Sequence, residues 1–354
     1  MSQKRCTRCV LPETYPGIDF DANGVCQLCR AYQRPTVRGV EELKRLVGSG
    51  KGNKYDCAVT LSGGRDSTYV LYYAARILGL RILAFSYDNG FRHVQALKNI
   101  RRACTLLGVD LLESRSRDNL NARITARALH TTIPFGPGAA CQLMCRPCYN
   151  GGLAFLYSIA EEYGIPFILW GDSVMEKISF IPVRDRLLGF QKPRRYLLSA
   201  RGFSFIRFLQ LLISQRNERL PSGNSRFDAR YPKLRNPGIQ EIHLFDYIEW
   251  DRREIKRAIT EELDWQKPAE KISTWRFDCH LHGLVNYCHK KAVGFNHDID
   301  GLANMIRAGK MDRSEAMDLI AKGFDSDEWN EELDYLVRET LNLPESDIMA
   351  LKSW

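Results

Sequence analysis

Three groups of residues in this 354-residue chain have types and spacings that can do chemistry. The first is Ser62-Gly63-Gly64-Arg65-Asp66-Ser67. Glycines let a backbone approach a phosphate closely, and the N–H groups that open a following helix bind the anion. The Ser62 and Ser67 hydroxyls add donors. Asp66 is an unusual neighbour for an anion unless Mg²⁺ bridges the two. No lysine stands in the loop and the G-x-x-x-x-G-K-[ST] spacing is absent, so this is not a Walker A loop. The second group is Cys6-x-x-Cys9 and Cys26-x-x-Cys29, with 16 residues between the pairs. Two such knuckles close a tetrahedral Zn²⁺ site with no open position, which is a structural role. The segment is too short for its own hydrophobic core, so metal would supply its folding energy. The third group is Cys141, Cys145 and Cys148, followed far downstream by Asp278-Cys279-His280-Leu281-His282, Cys288 and His289. Cys145 and Cys148 precede a helix, whose N-terminus stabilises thiolates and so favours metal binding. Zn²⁺ held by Cys145, Cys148 and Cys279, with Cys141 or His282 completing the shell, is one reading; unliganded thiols are the plain one. Cys57 and Cys104 read as core thiols.

The elements that must position these groups alternate. Tyr55–Leu61 is a strand candidate broken by the glycine loop, and Thr68–Leu80 reads as a helix. Arg81–Tyr87 is a second strand, Val94–Leu107 a helix and Val109–Leu112 a third strand. A helix over 152–163 leads to the strand Pro166–Trp170 and then Gly171-Asp172. Strands alternating with helices of this length imply βαβ units and a parallel sheet. Ligands of such sheets bind beyond the carboxyl ends of the strands, which puts the glycine loop, the segment after Tyr87 and Gly171-Asp172 at one mouth. From His243 the pattern turns helical: Asp251–Leu263, His282–Val293, Ile299–Gly309 and Arg313–Lys322. The expected division is a zinc ribbon over 1–35, an α/β domain over 54–183, a basic insertion over 184–240 and a helical region over 241–354.

Composition narrows the class. Hydrophobic residues make up 44% and charged residues 26%, which excludes collagenous and wholly disordered chains. No apolar run is long enough to span a membrane, and Met1–Cys9 lacks a secretory h-region, so the expected location is cytoplasmic. The net charge of +9, from 51 basic and 42 acidic residues, suits an anionic partner such as a nucleotide, a phosphorylated substrate, RNA or a membrane surface. The basic middle, with Lys192, Arg194, Arg195, Arg201 and Arg207, flanks the apolar stretch Phe203–Ile213. A solvated basic face over a core helix is the favoured account, and a peripheral membrane or partner contact is the other.

The glycine loop resembles the SGGxDS loop of the PP-loop, or N-type ATP pyrophosphatase, superfamily, whose fold is adenine nucleotide α-hydrolase-like. Those enzymes cleave ATP between its α and β phosphates and use AMP to activate a carbonyl oxygen. The resemblance implies that Ser62, Gly63, Gly64, Arg65, Asp66, Ser67 and Gly171 bind ATP with Mg²⁺. It makes Asp88 and Asn89, after the second strand, neighbours of the adenine. Asp66, Ser67, Asp172, Glu176 and Lys177 become the catalytic candidates; the last two would hold Mg²⁺ and phosphate, or form an exposed ion pair. Several sulfur-transfer enzymes of the superfamily carry a [4Fe–4S] cluster on three cysteines, and Cys145, Cys148 and Cys279 match that set. The layout as a whole looks like the N-acetyl sugar amidotransferase family, through Cys6-Thr-Arg-Cys9-Val-Leu-Pro12, the loop, Met144-Cys145-Arg-Pro-Cys148, Ser273-Thr-Trp-Arg-Phe-Asp-Cys279, His282-Gly-Leu-Val-Asn-Tyr287, Gly294-Phe295 and Ile306-Arg-Ala-Gly-Lys310. One departure is Gly171-Asp172-Ser173, where that family has a Gly-Glu-Asn-like sequence. This likeness implies ATP-dependent conversion of an acetamido group on a nucleotide-activated sugar to an acetamidino group, for surface polysaccharide such as lipopolysaccharide. A separate glutaminase subunit would supply ammonia. The alternative is ATP-dependent sulfur transfer to tRNA or a small molecule, with nucleic acid the less favoured partner.

Overall fold

The computed structural model describes residues 3–48, 54–172, 238–326 and 328–354. Glu176, Lys177 and the basic middle lie outside the described residues. Five strands form one parallel sheet: β1 (Cys57–Thr60), β2 (Ile82–Asp88), β3 (Asp110–Arg115), β4 (Phe167–Trp170) and β5 (Gln240–His243). Their order is β3-β2-β1-β4-β5. The chain therefore winds outward one way from β1, then returns to the other side of it. In open sheets of this kind such a reversal is where ligands bind, at the carboxyl ends of the strands, here β1 and β4.

The central strands read as unbroken apolar runs because both faces are covered. Side chains alternate. Cys57, Val59, Ile82, Ala84, Phe167 and Leu169 enter one buried cluster, and Ala58, Leu83, Phe85 and Ile168 enter another. The first face meets helices α2 (Arg65–Tyr72) and α3 (Val94–Leu107) and, beyond them, α7 (Arg252–Leu263). Ahead of these runs α1 (Val40–Gly48), which buries Leu43 and Val47 in the same cluster. The second face is closed by α6 (Arg146–Glu162), through Leu156, Tyr157, Ile159 and Ala160. Helices α4 (Leu120–Thr132) and α5 (Pro137–Leu143), between β3 and α6, pack against α8 (Leu281–Val293) in a third cluster. The helical C-terminal region adds α9 (Ile299–Arg307), α10 (Arg313–Leu319), α11 (Glu331–Tyr335) and α12 (Glu345–Lys352). No helix among the described residues is long and apolar enough to cross a membrane. Cys57 and Cys104 are buried in the core, as expected. The helix after β3 and strand β5 are elements that the sequence pattern did not reveal.

The turn from β1 into α2 depends on Gly63. Its φ is +83°, and a Cβ there would lie 2.2 Å from the Ala96 carbonyl oxygen of α3. Both objections are to backbone, which cannot rotate away. Gly63→Ala is expected to destabilise the fold by on the order of 3 kcal/mol from strain and overpacking. Urea unfolding checks this, and an unchanged midpoint would show that α3 yields.

Candidate active site

The glycine loop sits at the carboxyl end of β1, where the sheet order reverses. Gly64 caps α2 with extended backbone and no side chain to occupy its N–H groups. The loop is held in shape by its own hydroxyls: Ser62 Oγ lies 3.2 Å from Ser67 Oγ and accepts from the Gly64 N–H at 3.2 Å. Its outer wall comes from the C-terminal region. Trp265 Nε1 donates to the Gly63 carbonyl at 3.1 Å, and Asn99 Nδ2 donates to it at 3.3 Å.

Arg65 and Asp66 do not stand there as a free pair. The Arg65 guanidinium gives Nε and Nη2 to the two Asp66 oxygens at 2.8 and 2.7 Å. Trp250 Nε1 adds a third donor to Asp66 at 3.2 Å. Arg65 also donates to Thr274 Oγ1 and lies over the rings of Trp250 and Trp275, at 4.9 and 5.6 Å from their centroids. The expected Mg²⁺ carboxylate thus has its acceptor positions turned to a buried cation. Three tryptophans grip this corner, and of these the sequence motifs included only Trp275, with no role given to it.

Gly171, after β4, packs on the loop so closely that a Cβ would stand 3.1 Å from the Asp66 carbonyl and the Ser67 nitrogen. Asp172 then pairs with His243 Nδ1 at 2.7 Å. His243 ends β5 opposite Trp170, so sheet register puts the two side chains together. No sequence signal marked His243, because β5 itself was not recognised.

At the end of β2, Asp88 accepts from the Gly90 N–H at 2.9 Å and has Arg115 Nε 3.5 Å away. Asn89 turns to sulfur instead. Its Nδ2 lies 3.2 Å from Cys148 Sγ and 3.7 Å from Cys279 Sγ. The structure therefore brings Asn89 to the cysteine set. Burial pushes the Cys145 thiol up to about 11 and raises Cys148 and Cys279 as well. Buried neutral thiols are poor nucleophiles. Arg276 opposes the rise at Cys145, and Arg92 opposes it at Cys148. A metal group would turn these thiols into thiolates. Cys145, Cys148 and Cys279 are not drawn into the tight set that one tetrahedral ion needs, since that geometry occurs among the described residues only at the N-terminal cysteines. Three cysteines are a donor set that an iron–sulfur cluster or a zinc ion can use. The two proposed fourth ligands are placed differently. Cys141 Sγ is 3.5 Å from the Val285 carbonyl in the apolar core, and His282 Nε2 is bonded to Asp298 at 2.9 Å. Cys288 is a core thiol, and His289 Nδ1 bonds the Phe295 carbonyl.

Cys6, Cys9, Cys26 and Cys29 are all buried, with their sulfurs within 4.8 Å of one another. Two edges measure 3.9 and 3.8 Å. A tetrahedron with Zn–S bonds of ~2.3 Å has edges of ~3.8 Å. The Cys9 and Cys26 N–H groups point at Cys6 Sγ, as thiolate knuckles do. The residues fit the ion. The ribbon is clamped to the helical region by Arg313 on the Cys6 and Cys9 carbonyls, by Arg5–Asp325 at 2.7 Å and by Tyr15 stacked on Phe295.

No protein-family model matches the chain. An uncharacterised protein of Methanocaldococcus jannaschii is 20% identical over 324 residues, covering 90% of this chain and 93% of that one. A 7-cyano-7-deazaguanine synthase of Leptospira biflexa is 30% identical over 166 residues. That match covers 40% of this chain and 63% of the synthase. Among solved structures, the U34-tRNA thiolase NcsA from Methanococcus maripaludis with its [4Fe-4S] cluster is 14% identical at a TM-score of 0.35, over 95% of this chain and 97% of that one. NMN synthetase from Francisella tularensis is 12% identical at 0.38, over 80% and 90%.

Proposed function

We propose that the chain is an ATP-dependent amidotransferase of the cytoplasm, of the PP-loop ATP pyrophosphatase class that its glycine loop resembles. It converts the acetamido group of a nucleotide-activated sugar to an acetamidino group, for surface-polysaccharide synthesis. The observation that carries the ATP-dependent half is the loop: a glycine turn whose N–H groups open helix α2 at the reversal of the sheet. The acceptor class rests on the family resemblance of the cysteine and tail motifs.

The chemistry is balanced. The amide oxygen attacks the α-phosphorus, the α–β bond breaks and pyrophosphate leaves. Ammonia then adds to the activated carbon, and AMP departs with the original amide oxygen. The loop N–H groups and the Ser62 and Ser67 hydroxyls would stabilise charge developing on the phosphates. Mg²⁺, when bound, supplies further charge neutralisation there. Asp172 and His243, hydrogen-bonded at the mouth, can take a proton from the incoming ammonia. Glu176 and Lys177 remain candidates for phosphate and Mg²⁺. Zn²⁺ in the four-cysteine ribbon is structural. A separate glutaminase is the proposed ammonia source.

One observation favours sulfur transfer as a second reading: Asn89, at the end of β2, reaches both Cys148 and Cys279. A [4Fe–4S] cluster there would supply an iron that binds sulfide.

Mass spectrometry of UDP- and CMP-linked acetamido sugars, after incubation with ATP and ammonium, tests the first reading. Replacement of oxygen by NH, with release of AMP and pyrophosphate, is the expected result. Replacement of oxygen by sulfur, in a brown iron-containing protein, would establish the second.

A further inference from the structure

Asp278 stands between the two chemical centres, and its carboxylate carries no partner among the described residues. Its carboxylate lies 3.5 Å from where a Cβ of Gly64 would be, so it borders the phosphate loop directly. No hydrogen bond or ion pair reaches that carboxylate among the described residues. Its backbone is fixed, however. The Asp278 carbonyl accepts from the His93 N–H at 3.0 Å, and the His280 N–H donates to the Phe91 carbonyl at 2.8 Å. Cys279 bridges Arg92 between them. The same segment is tied to the loop through Thr274 and Arg65.

An unpaired carboxylate is an odd wall for an anion site. The nearest loop cation cannot neutralise it, because Arg65 is spent on Asp66. Arg92 acts on it only through space and gives its Nη2 to the Tyr87 carbonyl. A polyphosphate entering the loop would therefore meet a bare negative charge. A divalent cation resolves the conflict. Mg²⁺ is commonly held by one or two carboxylates plus substrate phosphates.

We propose that Asp278 is the carboxylate that holds the divalent cation of a metal–nucleotide complex at the Ser62–Ser67 loop, the role for which the sequence marked Asp66. The assignment rests on the ATP-dependent reading above. It also ties the phosphate centre to the cysteine centre, since the next residue is Cys279.

Electron paramagnetic resonance of Mn²⁺, in the presence of a nucleotide with a methylene bridge between its α and β phosphates, tests this without turnover. Asp278→Asn is expected to weaken Mn²⁺ binding to the protein–nucleotide complex by about tenfold or more. Asp278→Glu is expected to retain most of it. Metal-free nucleotide should bind Asp278→Asn at least as well as it binds the wild type. Unchanged Mn²⁺ affinity in Asp278→Asn overturns the assignment while leaving the ATP reading intact. Failure of the wild type to bind the nucleotide, with or without Mn²⁺, sinks both. Should either variant fold poorly, wild-type protein labelled with carbon-13 aspartate decides: a manganese–carboxylate coupling is expected, and its absence overturns the assignment.

Discussion

Asp66→Asn should cost the fold about 3–5 kcal/mol, the usual penalty for removing one partner of a buried ion pair. The Arg65 and Asp66 side chains are only 3% and 9% exposed. The Asp66 carboxylate receives both arms of the guanidinium and the Trp250 indole. Asparagine keeps the shape but loses the charge, taking from a buried guanidinium the carboxylate that receives two of its nitrogens. The attraction to the ring faces of Trp250 and Trp275 survives but is smaller. A carboxylate that served mainly as a metal ligand would behave differently: nucleotide binding would collapse and stability would hold. Urea unfolding beside nucleotide titration separates the two. An unchanged midpoint with lost binding would move Asp66 from the wedge to the chemistry. Replacing Arg65 and Asp66 together by apolar residues of similar volume should recover part of the lost stability, because no charge is then stranded.

Removing metal from the four-cysteine ribbon should have the largest effect of all. Structural zinc contributes roughly 10–16 kcal/mol of apparent binding energy in small zinc modules, more than the clamps and the packing of Val10 and Leu11 are expected to supply. Without a cation the buried thiols share their protons unequally: hydrogen bonds from Cys26 and Cys29, together with burial, drive Cys9 far above its ordinary value, while hydrogen bonds from Cys29 and Cys9 pull Cys26 down. Chelation at neutral pH is expected to release amide protection across residues 3–30. It should also release the surfaces clamped by Arg313, Asp325 and Phe295. Hydrogen exchange followed by mass spectrometry reads both regions. Retention of protection in metal-free protein would mean that packing alone carries the ribbon.

What was legible in the sequence follows from what each element buries. Strands β1, β2 and β4 are apolar on both faces and could be read directly. Strand β5 is Gln-Glu-Ile-His at the sheet edge with Ile242 its one buried residue, too short and polar to give a signal. Helix α4 begins after Asp118 and Asn119, both with positive φ, and has no side-chain cap, so the usual start marks are missing. The glycine loop was plain because its conformational demand is written in residue type. The fate of Asp66 was not. Neighbouring residues on a helix normally point apart, and Arg65 folds back onto Asp66 under the indoles of Trp250 and Trp275, which come from the distant C-terminal region. Asn89 was placed at the right strand end. Which group its amide would touch depends on Cys148 and Cys279, brought there by α6 and by the segment before α8.

The three indoles give the protein an order of completion. A ribosome makes residues 62–67 early, but Trp250, Trp265 and Trp275 emerge some 200 residues later. At about 5–20 residues per second, the unfinished loop waits roughly 10–40 seconds. Until then Arg65 has no ring above it and the Gly63 carbonyl has no indole donor. The nascent sheet can therefore begin to assemble while its glycine loop remains unfinished, and the corner is complete only when the last third of the polypeptide docks.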